Sequence, residues 1–455
     1  MTKKRIAIIG AGPAGLAAAY ELSTNPNNEI TLYEMSDVPG GMCKTIKLWD
    51  CLVDIGPHRF FSYNLRVNKL WLQAAQKDYK MVNRLTRIFY KNKFFFYPIA
   101  AFDALKKVGV FTAAICALSY LKEKIAPIKQ DGSFKTWTIS RFGKKLYTMF
   151  FKTYSEKLWG IKCSQLDDDF ARQRIKKLSM SEVILNALKL KKNQHKTLAD
   201  KFAYPKEGAG LIYRRMAEYI QNHNGKILYN TSVKKVIVEN GVALGVEIEG
   251  RQRPRFFDEI ISTMPFTDLI RQLPNLPAEI IAHLENLKYR NSIIVYLKVE
   301  GTKLFDDNWL YVHSPDLMMG RITNFRNWIP ELYGKNKITI LALEYWCNEN
   351  DAFWNMPEQD IINTAKAEIQ KSGLSKNYPI IDGYVYKVSR SYPTYHKGYK
   401  KDLKPLQNYL DSISNLQCIG RNGAFKYNNQ DHSLLMGILA AENIKWGGGG
   451  YIKAA

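Results

Sequence analysis

Three glycines near the start of the chain, Gly10, Gly12 and Gly15, have the spacing of a phosphate-binding turn. They follow a β-branched run, Arg5–Ile9, and open an alanine-rich segment that predicts a helix. The first glycine permits a tight turn, the second lets backbone approach a pyrophosphate, and the third lets the helix pack closely on the strand. The helix N-terminus adds free N–H groups and partial positive charge. The pattern therefore predicts a dinucleotide-binding βαβ unit.

An acidic residue, Glu34, ends the next predicted strand, Glu29–Glu34. A carboxylate at this position accepts hydrogen bonds from ribose hydroxyls and repels a 2′-phosphate, which argues against NADP. Gly40 and Gly41 follow within a few residues and resemble the FAD-binding branch of this fold, where they let the chain pass close to the cofactor. On that resemblance we expect FAD rather than NAD.

These residues need a parallel sheet to position them, and distant parts of the chain contribute its predicted strands. Phe257–Met264 and Leu416–Gly420 are short strands, and Ser433–Ile444 predicts a helix. We expect an α/β fold in which an FAD-binding, Rossmann-type doubly wound domain is interleaved with a helical insertion and a mixed-sheet substrate domain. The predicted division is FAD-binding segments at 1–100, 201–265 and 401–445, a helical insertion at 101–200 and a substrate domain at 266–400.

Two further stretches predict local structure. A turn at Asn92 separates the apolar runs Arg87–Tyr90 and Phe94–Tyr97, which predicts a β-hairpin. The run Val108–Leu121 is apolar with lysines on both sides. It is shorter than the roughly 20 residues that span a bilayer. We therefore expect a buried helix, with a helix lying in a membrane surface as the alternative.

The formal net charge is +24, and the lysines and arginines are spread along the 455 residues. Such a surplus attracts anions. Without a zinc-finger spacing, an RNP motif or a repeat, however, we expect no nucleic-acid partner. The six cysteines have no metal-ligand spacing, which favours incidental reduced thiols and no metal site. A strand follows Met-Thr-Lys-Lys directly, so we expect no signal peptide and a cytoplasmic protein, with peripheral contact at the inner membrane surface left open.

Longer segments carry a more specific pattern: the histidine loop Asp54–Phe60, the hairpin at 87–98, Arg141–Tyr147, Phe151–Gly160, Gly320–Phe325, Ser391–Tyr395 and Gly420–His432. Together they resemble UDP-galactopyranose mutase and its relatives, within the amine oxidase and protoporphyrinogen oxidase superfamily, over nearly the whole chain. The chain departs from that pattern at Asn429-Gln430-Asp431, where the family usually has Met-Asp-Gln, and it is longer than the bacterial mutases.

The resemblance implies FAD as cofactor and, as reaction, ring contraction of a nucleotide-diphosphate or lipid-linked sugar with reduced flavin and no net redox change. The alternative is an FAD-dependent oxidoreductase of the amine oxidase, protoporphyrinogen oxidase or desaturase type, whose site would favour an apolar tunnel. The implied cofactor-binding residues are Gly10, Gly12, Pro13, Ala14, Gly15, Glu34, Met35, Gly40, Gly41, Met42, Gly56, Pro57, His58, Val233, Gly420, Arg421, Asn429, Gln430 and Asp431.

The implied catalytic residues are His58, Arg321 and Arg421, and Trp159, Tyr345, Tyr392 and Tyr427 join the two arginines in the predicted substrate pocket. Arginine suits a diphosphate because its planar fork of donors matches phosphate oxygens. Structural alternatives remain open at this point. They are a turn histidine bonded to backbone, a tryptophan that packs in the core, and arginines that form structural ion pairs.

Overall fold

The computed structural model describes residues 3–97, 107–175 and 201–446. The rest of the predicted helical insertion, at 101–106 and 176–200, lies outside the described residues. No helix within the described ranges is long and apolar enough to cross a membrane. The described cysteines are all free.

A five-stranded parallel sheet forms the predicted nucleotide-binding unit, and distant parts of the chain contribute its strands as expected. Apolar and β-branched residues fill these strands because both faces of such a sheet are covered. In spatial order the strands are β19 (Leu416–Cys418), β13 (Glu259–Ser262), β1 (Lys4–Ile9), β2 (Asn28–Tyr33) and β9 (Gly225–Leu228).

One face of this sheet is covered by close-packed helices. The alanine-rich helix α1 (Pro13–Ser23) packs on α14 (Gln430–Trp446), and a Cβ on Gly437 would overlap the carbonyl oxygen of Ala14. The small residues therefore let the two helix backbones approach each other beneath the glycine turn. The neighbouring helices are α2 (Leu65–Ala75) and α7 (Gly210–Asn222).

A seven-stranded mixed sheet forms the second large layer. The predicted hairpin at Asn92 is confirmed as β6 (Thr86–Tyr90) and β7 (Lys93–Phe96), but it belongs to this sheet, because β6 pairs in parallel with β15 (Trp309–Val312). Residues 86–96, which the predicted FAD-binding segment 1–100 includes, therefore pair with the mixed sheet and not with the parallel sheet. In spatial order the strands are β18 (Ile380–Pro393), β14 (Tyr289–Val299), β17 (Thr339–Cys347), β16 (Arg321–Asn324), β15 (Trp309–Val312), β6 (Thr86–Tyr90) and β7 (Lys93–Phe96).

The described part of the insertion is helical, but its apolar run is not buried. Val110–Ile125 forms a helix, α3, in which Cys116 and Tyr120 are buried while Phe111 is 89% and Leu118 is 65% exposed. The expectation of a buried helix is wrong, because this helix packs only one of its two apolar faces on the domain. The chain continues through α4 (Phe134–Leu146), a π-helix (Tyr147–Lys152), α5 (Thr153–Trp159) and α6 (Asp169–Ile175).

Smaller elements connect the layers. The remaining strands are β3 (Thr45–Leu48) with β4 (Cys51–Asp54), β5 (Tyr79–Asn83) with β8 (Lys201–Pro205), and the sheet of β10 (Val233–Glu239), β11 (Val242–Ile248) and β12 (Arg255–Phe256). The remaining helices are α8 (Phe266–Arg271), α9 (Ala278–Asn286), α10 (Ala352–Asn355), α11 (Glu358–Lys371), α12 (Lys400–Asp411) and α13 (Gly420–Gly423), with short 3-10 turns at Gly41–Cys43, Phe325–Asn327 and Pro330–Leu332.

Candidate functional site

A groove of about 650 Å³ lies where the parallel strands end. Ile9, Tyr33 and Thr263 line it at or just beyond the carboxyl ends of β1, β2 and β13, the edge at which sheets of this kind bind ligands. Most of the predicted cofactor-binding residues line the same groove: Gly10, Gly12, Pro13, Ala14, Glu34, Met35, Gly41, Met42, His58, Val233, Gly420, Arg421, Asn429 and Gln430.

The glycine turn leaves the space that a pyrophosphate needs. Gly10 has a positive φ of 96°, and a Cβ there would overlap the Thr263 hydroxyl, whereas a Cβ on Gly12 would meet no atom within 4 Å. Helix α1 begins with Pro13, and no side chain caps it. Its first N–H groups are thus available to an anion, so this end of the groove fits the predicted cofactor.

Glu34 is held in a fixed orientation at the ribose end. Its Oε2 accepts a hydrogen bond from the Ala11 N–H at 2.7 Å, and its Oε1 accepts from the Ser36 N–H at 2.9 Å and the Ser36 hydroxyl at 2.6 Å. An ionised carboxylate offers about four acceptor positions. The protein occupies three of them, which leaves capacity for a ribose hydroxyl.

His58 lines the groove as a neutral imidazole. Its Nε2 lies 2.7 Å from the Ile55 carbonyl oxygen, to which it donates, and its Nδ1 lies 3.6 Å from the Cys43 sulfur. Burial, together with the charges of Arg421 and Arg321, lowers the pKa of His58 to about 3. A ring held in this way is a poor proton shuttle near neutral pH, so its part in the site is positional.

The remaining predicted cofactor residues are not part of the groove lining, although two of them lie in the glycine turns beside it. Gly15 lies against the Gly10 carbonyl, and Gly40 holds a left-handed turn beside Lys44. The predicted residues that are not part of the groove lining are Gly15, Gly40, Gly56, Pro57 and Asp431.

Gly56 lies between His58, which lines the groove, and Arg321. A Cβ at this position would lie 3.6 Å from His58 Nε2 and 3.9 Å from Arg321 Nη2. Gln430 fixes the same loop by donating to the His58 and Arg59 carbonyl oxygens at 3.1 Å and 2.8 Å. The end of the cofactor groove and the predicted substrate arginine are therefore immediate neighbours.

Arg421 stands between the groove and an aromatic cluster. Its Nε donates to the Asn428 carbonyl at 2.9 Å and its Nη1 to the Ser391 carbonyl at 3.2 Å. The guanidinium carbon lies 5.2 Å and 5.4 Å from the ring centres of Tyr392 and Tyr427, within reach of cation–π attraction. Arg421 thus contacts both predicted tyrosines.

Arg321 forms a buried ion pair with Glu344. Its Nε donates to Glu344 Oε2 at 2.7 Å, and its Nη2 donates to the same oxygen. Glu344 Oε1 in turn accepts from the Trp346 indole at 2.8 Å and the Tyr392 hydroxyl at 3.2 Å. Burial opposes the charge of Arg321, but the Glu344 carboxylate and nearby tyrosines raise its pKa. The guanidinium is fixed along one edge, and its Nη1 donates to no residue of the described chain.

Two predicted substrate residues do not lie where the sequence analysis placed them. Side chains alternate along a strand, so Tyr345 points away from Glu344 and Trp346 and packs on Phe353, with ring centres 5.0 Å apart. The structure therefore places Tyr345 in the core on the other face of β17 and does not bring it to Arg321 and Glu344. Trp159 is fully buried beneath Tyr427, with ring centres 5.9 Å apart. It supports from behind the group of side chains that we call the cleft, namely Arg321, Glu344, Tyr392, Arg421 and Tyr427.

The cleft also contains residues that were not predicted from the sequence. Tyr154 and Tyr311 pack edge to face at 5.6 Å, and Tyr154 approaches Trp346 at 5.7 Å. Arg59 carries a buried Nη1 that finds no partner among the described residues. Tyr154 belongs to a segment, Phe151–Gly160, that the resemblance had marked, and Arg59 follows His58 directly. Their positions in or beside these motifs could have identified Tyr154 and Arg59 as site residues, whereas no motif in the sequence includes Tyr311.

A family model for flavin-containing amine oxidoreductases matches residues 13–400 of this chain.

This chain belongs to the flavin-containing amine oxidoreductases.

Its cofactor is FAD, and it is an FAD-dependent enzyme of the amine oxidase superfamily. Coproporphyrinogen III oxidase of Staphylococcus aureus is 20% identical over 471 residues, covering 97% of this chain and 99% of that protein. A probable UDP-galactopyranose mutase of Klebsiella pneumoniae is 30% identical over 175 residues, covering 36% of this chain and 44% of that protein. The crystal structure of reduced UDP-galactopyranose mutase superposes with a TM-score of 0.86 at 22% identity, covering 98% of this chain and 94% of that one.

Proposed function

We propose that this amine oxidoreductase family member is an isomerase that contracts the ring of a nucleotide-diphosphate or lipid-linked sugar with reduced flavin. The single observation that carries the proposal is Arg321, fixed along one edge by Glu344 beside the inner end of the cofactor groove. A guanidinium held in this way can present its remaining donors to an oxyanion without reorganising. The superposition on UDP-galactopyranose mutase supports the same choice.

The residues that would hold FAD are those of the groove. The N-terminus of α1 and Gly12 would face the pyrophosphate, Glu34 the ribose, and Met42 and His58 the inner end. When bound in its reduced form, the flavin supplies the electron-rich chemistry that side chains lack. The protein's own task is to place the sugar, exclude water and balance the charge of the leaving group.

Charge balance is the part that the described side chains perform. Breaking the bond between a sugar and a diphosphate leaves negative charge on the diphosphate. Tyr392 links the two arginines, because its hydroxyl donates to Glu344, the ion-pair partner of Arg321, and its ring centre lies 5.2 Å from the Arg421 guanidinium. Interactions that strengthen as charge develops lower the barrier. We assign the two arginines this role, and Tyr427 a packing role against the sugar or nucleotide.

The second candidate is an oxidase of a polycarboxylate tetrapyrrole. It is favoured by one observation, the full-length similarity to coproporphyrinogen III oxidase. Carboxylates also suit arginines, so Arg59, Arg321 and Arg421 do not exclude it. We rank it second because the fold superposes closely on the mutase and because Arg421 in the groove lining and Arg321 beside it are the residues that a diphosphate would need.

The test is the binding of UDP and UDP-galactose to Arg321→Lys and Arg421→Lys. Lysine keeps the charge but loses the planar fork. Losing charge-assisted hydrogen bonds costs about 1.5–3 kcal/mol, or roughly 10- to 150-fold in Kd. Binding is followed by flavin fluorescence at two salt concentrations, with bound FAD measured in each preparation. We expect Arg321→Lys to retain FAD while it loses nucleotide affinity.

The matched control is Arg214→Lys. Arg214 lies on the outer side of α7 and forms an ion pair with Glu207, which precedes that helix. This variant should bind UDP as the parent does. Parent protein that binds no nucleotide diphosphate, or lysine variants that bind it undiminished, would overturn the sugar-diphosphate proposal. Tight binding of coproporphyrinogen by the same parent preparation would move the assignment to the second candidate.

A further inference from the structure

The helix α3 presents an apolar face to solvent. Val110, Phe111 and Ile125 are 84%, 89% and 84% exposed, and Ile115, Leu118 and Leu121 are at least half exposed. These positions follow the three- and four-residue spacing of one helix face. They form a continuous apolar arc, with Lys122 as the charged residue within it. We call this arc the outer face of α3.

The opposite face of α3 anchors the helix to the protein. Cys116 is buried with Phe95, Met149 and Phe150. A Cβ on Gly143 would lie within 3 Å of the Tyr120 backbone, so α3 and α4 cross closely. The outer face is therefore carried on a packed helix and is not the side of a loosely attached segment.

Positive charge lies at both ends of the outer face. At the first end, Lys93 donates to the Lys107 carbonyl at 2.8 Å, and the Lys107 ammonium lies 5.2 Å from the ring centre of the half-exposed Phe96. At the other end stand Lys122 and Lys124 in the last turn. Within α3 the one acidic residue is Glu123, which accepts from the Ile128 N–H at 3.1 Å.

We propose that the outer face of α3 docks this enzyme on an anionic lipid bilayer, with the helix axis in the membrane plane. The helix has 16 residues, and none of the described helices can cross a membrane. An apolar arc flanked by lysines is the arrangement with which an amphipathic helix lies in the headgroup region. Lysine stems bury along the apolar surface while their ammonium groups reach the lipid phosphates.

The charge of the whole chain favours this partner over a second copy of the protein. The formal net charge is +24, so two copies that approach through lysine-flanked faces repel each other. An anionic membrane attracts the same faces. The proposal does not depend on the substrate assigned above, because the outer face is separate from the groove and the cleft.

The test is co-sedimentation of the FAD-loaded enzyme with vesicles of phosphatidylcholine alone or of phosphatidylcholine with phosphatidylglycerol. We expect binding to the anionic vesicles that weakens with added salt. Phe111→Ser/Leu118→Ser should reduce the partition coefficient by about tenfold or more, since two large apolar side chains no longer enter the lipid. Lys122→Glu/Lys124→Glu should reduce it similarly and remove most of the salt dependence.

The control variants change exposed residues elsewhere on the protein. Phe256→Ser alters a 52% exposed phenylalanine on β12, and Lys335→Glu/Lys337→Glu changes the same charge in an exposed loop. Both should bind vesicles nearly as the parent does, and FAD content and melting temperature confirm folding in every variant. Parent enzyme that ignores anionic vesicles, or α3 variants that bind like their controls, would overturn the proposal. So would a lipid-independent dimer that Phe111→Ser/Leu118→Ser dissociates, because the face would then serve a second copy.

Discussion

At the residue scale, β17 shows how one strand position decides whether a side chain belongs to the site. Glu344 and Trp346 reach the cleft, while Tyr345 between them packs in the core of the other face. From the sequence alone, Tyr345 is a more obvious candidate for ligand binding than Glu344. Only the register of β17 with β16 shows that Glu344 lies opposite Arg321. A buried glutamate with an arginine partner leaves no local pattern in the sequence, because the two residues come from different strands.

His58 gives a prediction with a definite sign. Burial lowers its pKa in the folded protein to about 3, from 6.5 in the unfolded chain. Between these values the unfolded chain binds a proton that the folded protein does not, so the free energy of unfolding falls as pH falls from 6.5. One such group contributes at most about 1.4 kcal/mol per pH unit. We expect His58→Gln to make the pH dependence of unfolding shallower in denaturant titrations below pH 6.5.

The same replacement at exposed His223 controls for the loss of an imidazole elsewhere on the protein. His313, whose pKa burial also lowers to about 3, remains in both variants and keeps part of the slope. Equal slopes for parent and His58→Gln would show that His58 is protonated in the folded protein. The neutral, positional role assigned to it would then be wrong.

At the element scale, the glycine turn was predictable and the exposed helix was not. The turn is local, since its strand, glycines and helix are consecutive in the sequence, and the structure lines the groove with them. Helix α3 is apolar on both faces, so hydrophobicity alone could not tell which face packs. The hairpin at Asn92 was likewise predictable from its turn, but its sheet was not, because β15 lies far along the chain.

The close approach of α1 and α14 yields a paired prediction. Gly437→Ala would push its methyl into the Ala14 carbonyl, and overpacking of this kind costs about 1–3 kcal/mol. Gly12→Ala meets no protein atom within 4 Å, so its methyl would protrude into the groove. We expect Gly437→Ala to lower the unfolding free energy of the protein itself. Gly12→Ala should weaken FAD binding while it leaves the stability of the FAD-free protein nearly unchanged.

Urea unfolding with and without added FAD separates the two effects, since a ligand stabilises only through its own affinity. A Gly12→Ala variant with unchanged FAD affinity would show that backbone does not approach the cofactor at this position. A Gly437→Ala variant as stable as the parent would show that the two helices can move apart at little cost. The first outcome would contradict the groove described above, and the second would contradict the close packing of α1 on α14.

At the scale of the whole molecule, cofactor binding and reaction type are separate properties. The nucleotide-binding sheet, the glycine turn and the family match establish an FAD enzyme. They are shared by isomerases and oxidases, so they do not choose between them. The choice depends on the cleft, which is assembled from the histidine loop, the insertion, the mixed sheet and the C-terminal segment. Because those parts are far apart in sequence, their convergence could be expected only through the resemblance.

The number of product molecules formed per reduced flavin distinguishes an isomerase from an oxidase. Ring contraction leaves the flavin in its starting oxidation state, whereas oxidation passes electrons to an acceptor. The enzyme is reduced anaerobically, freed of excess reductant and incubated with UDP-galactose, and product is measured by chromatography against bound FAD. We expect many product molecules for each reduced flavin and none from oxidised enzyme, since the sugar undergoes no net redox change. Arg321→Lys should lower turnover without changing this ratio, because it alters charge balance at the diphosphate and not the flavin. Consumption of one acceptor equivalent for each product formed would instead establish an oxidase and overturn the isomerase proposal.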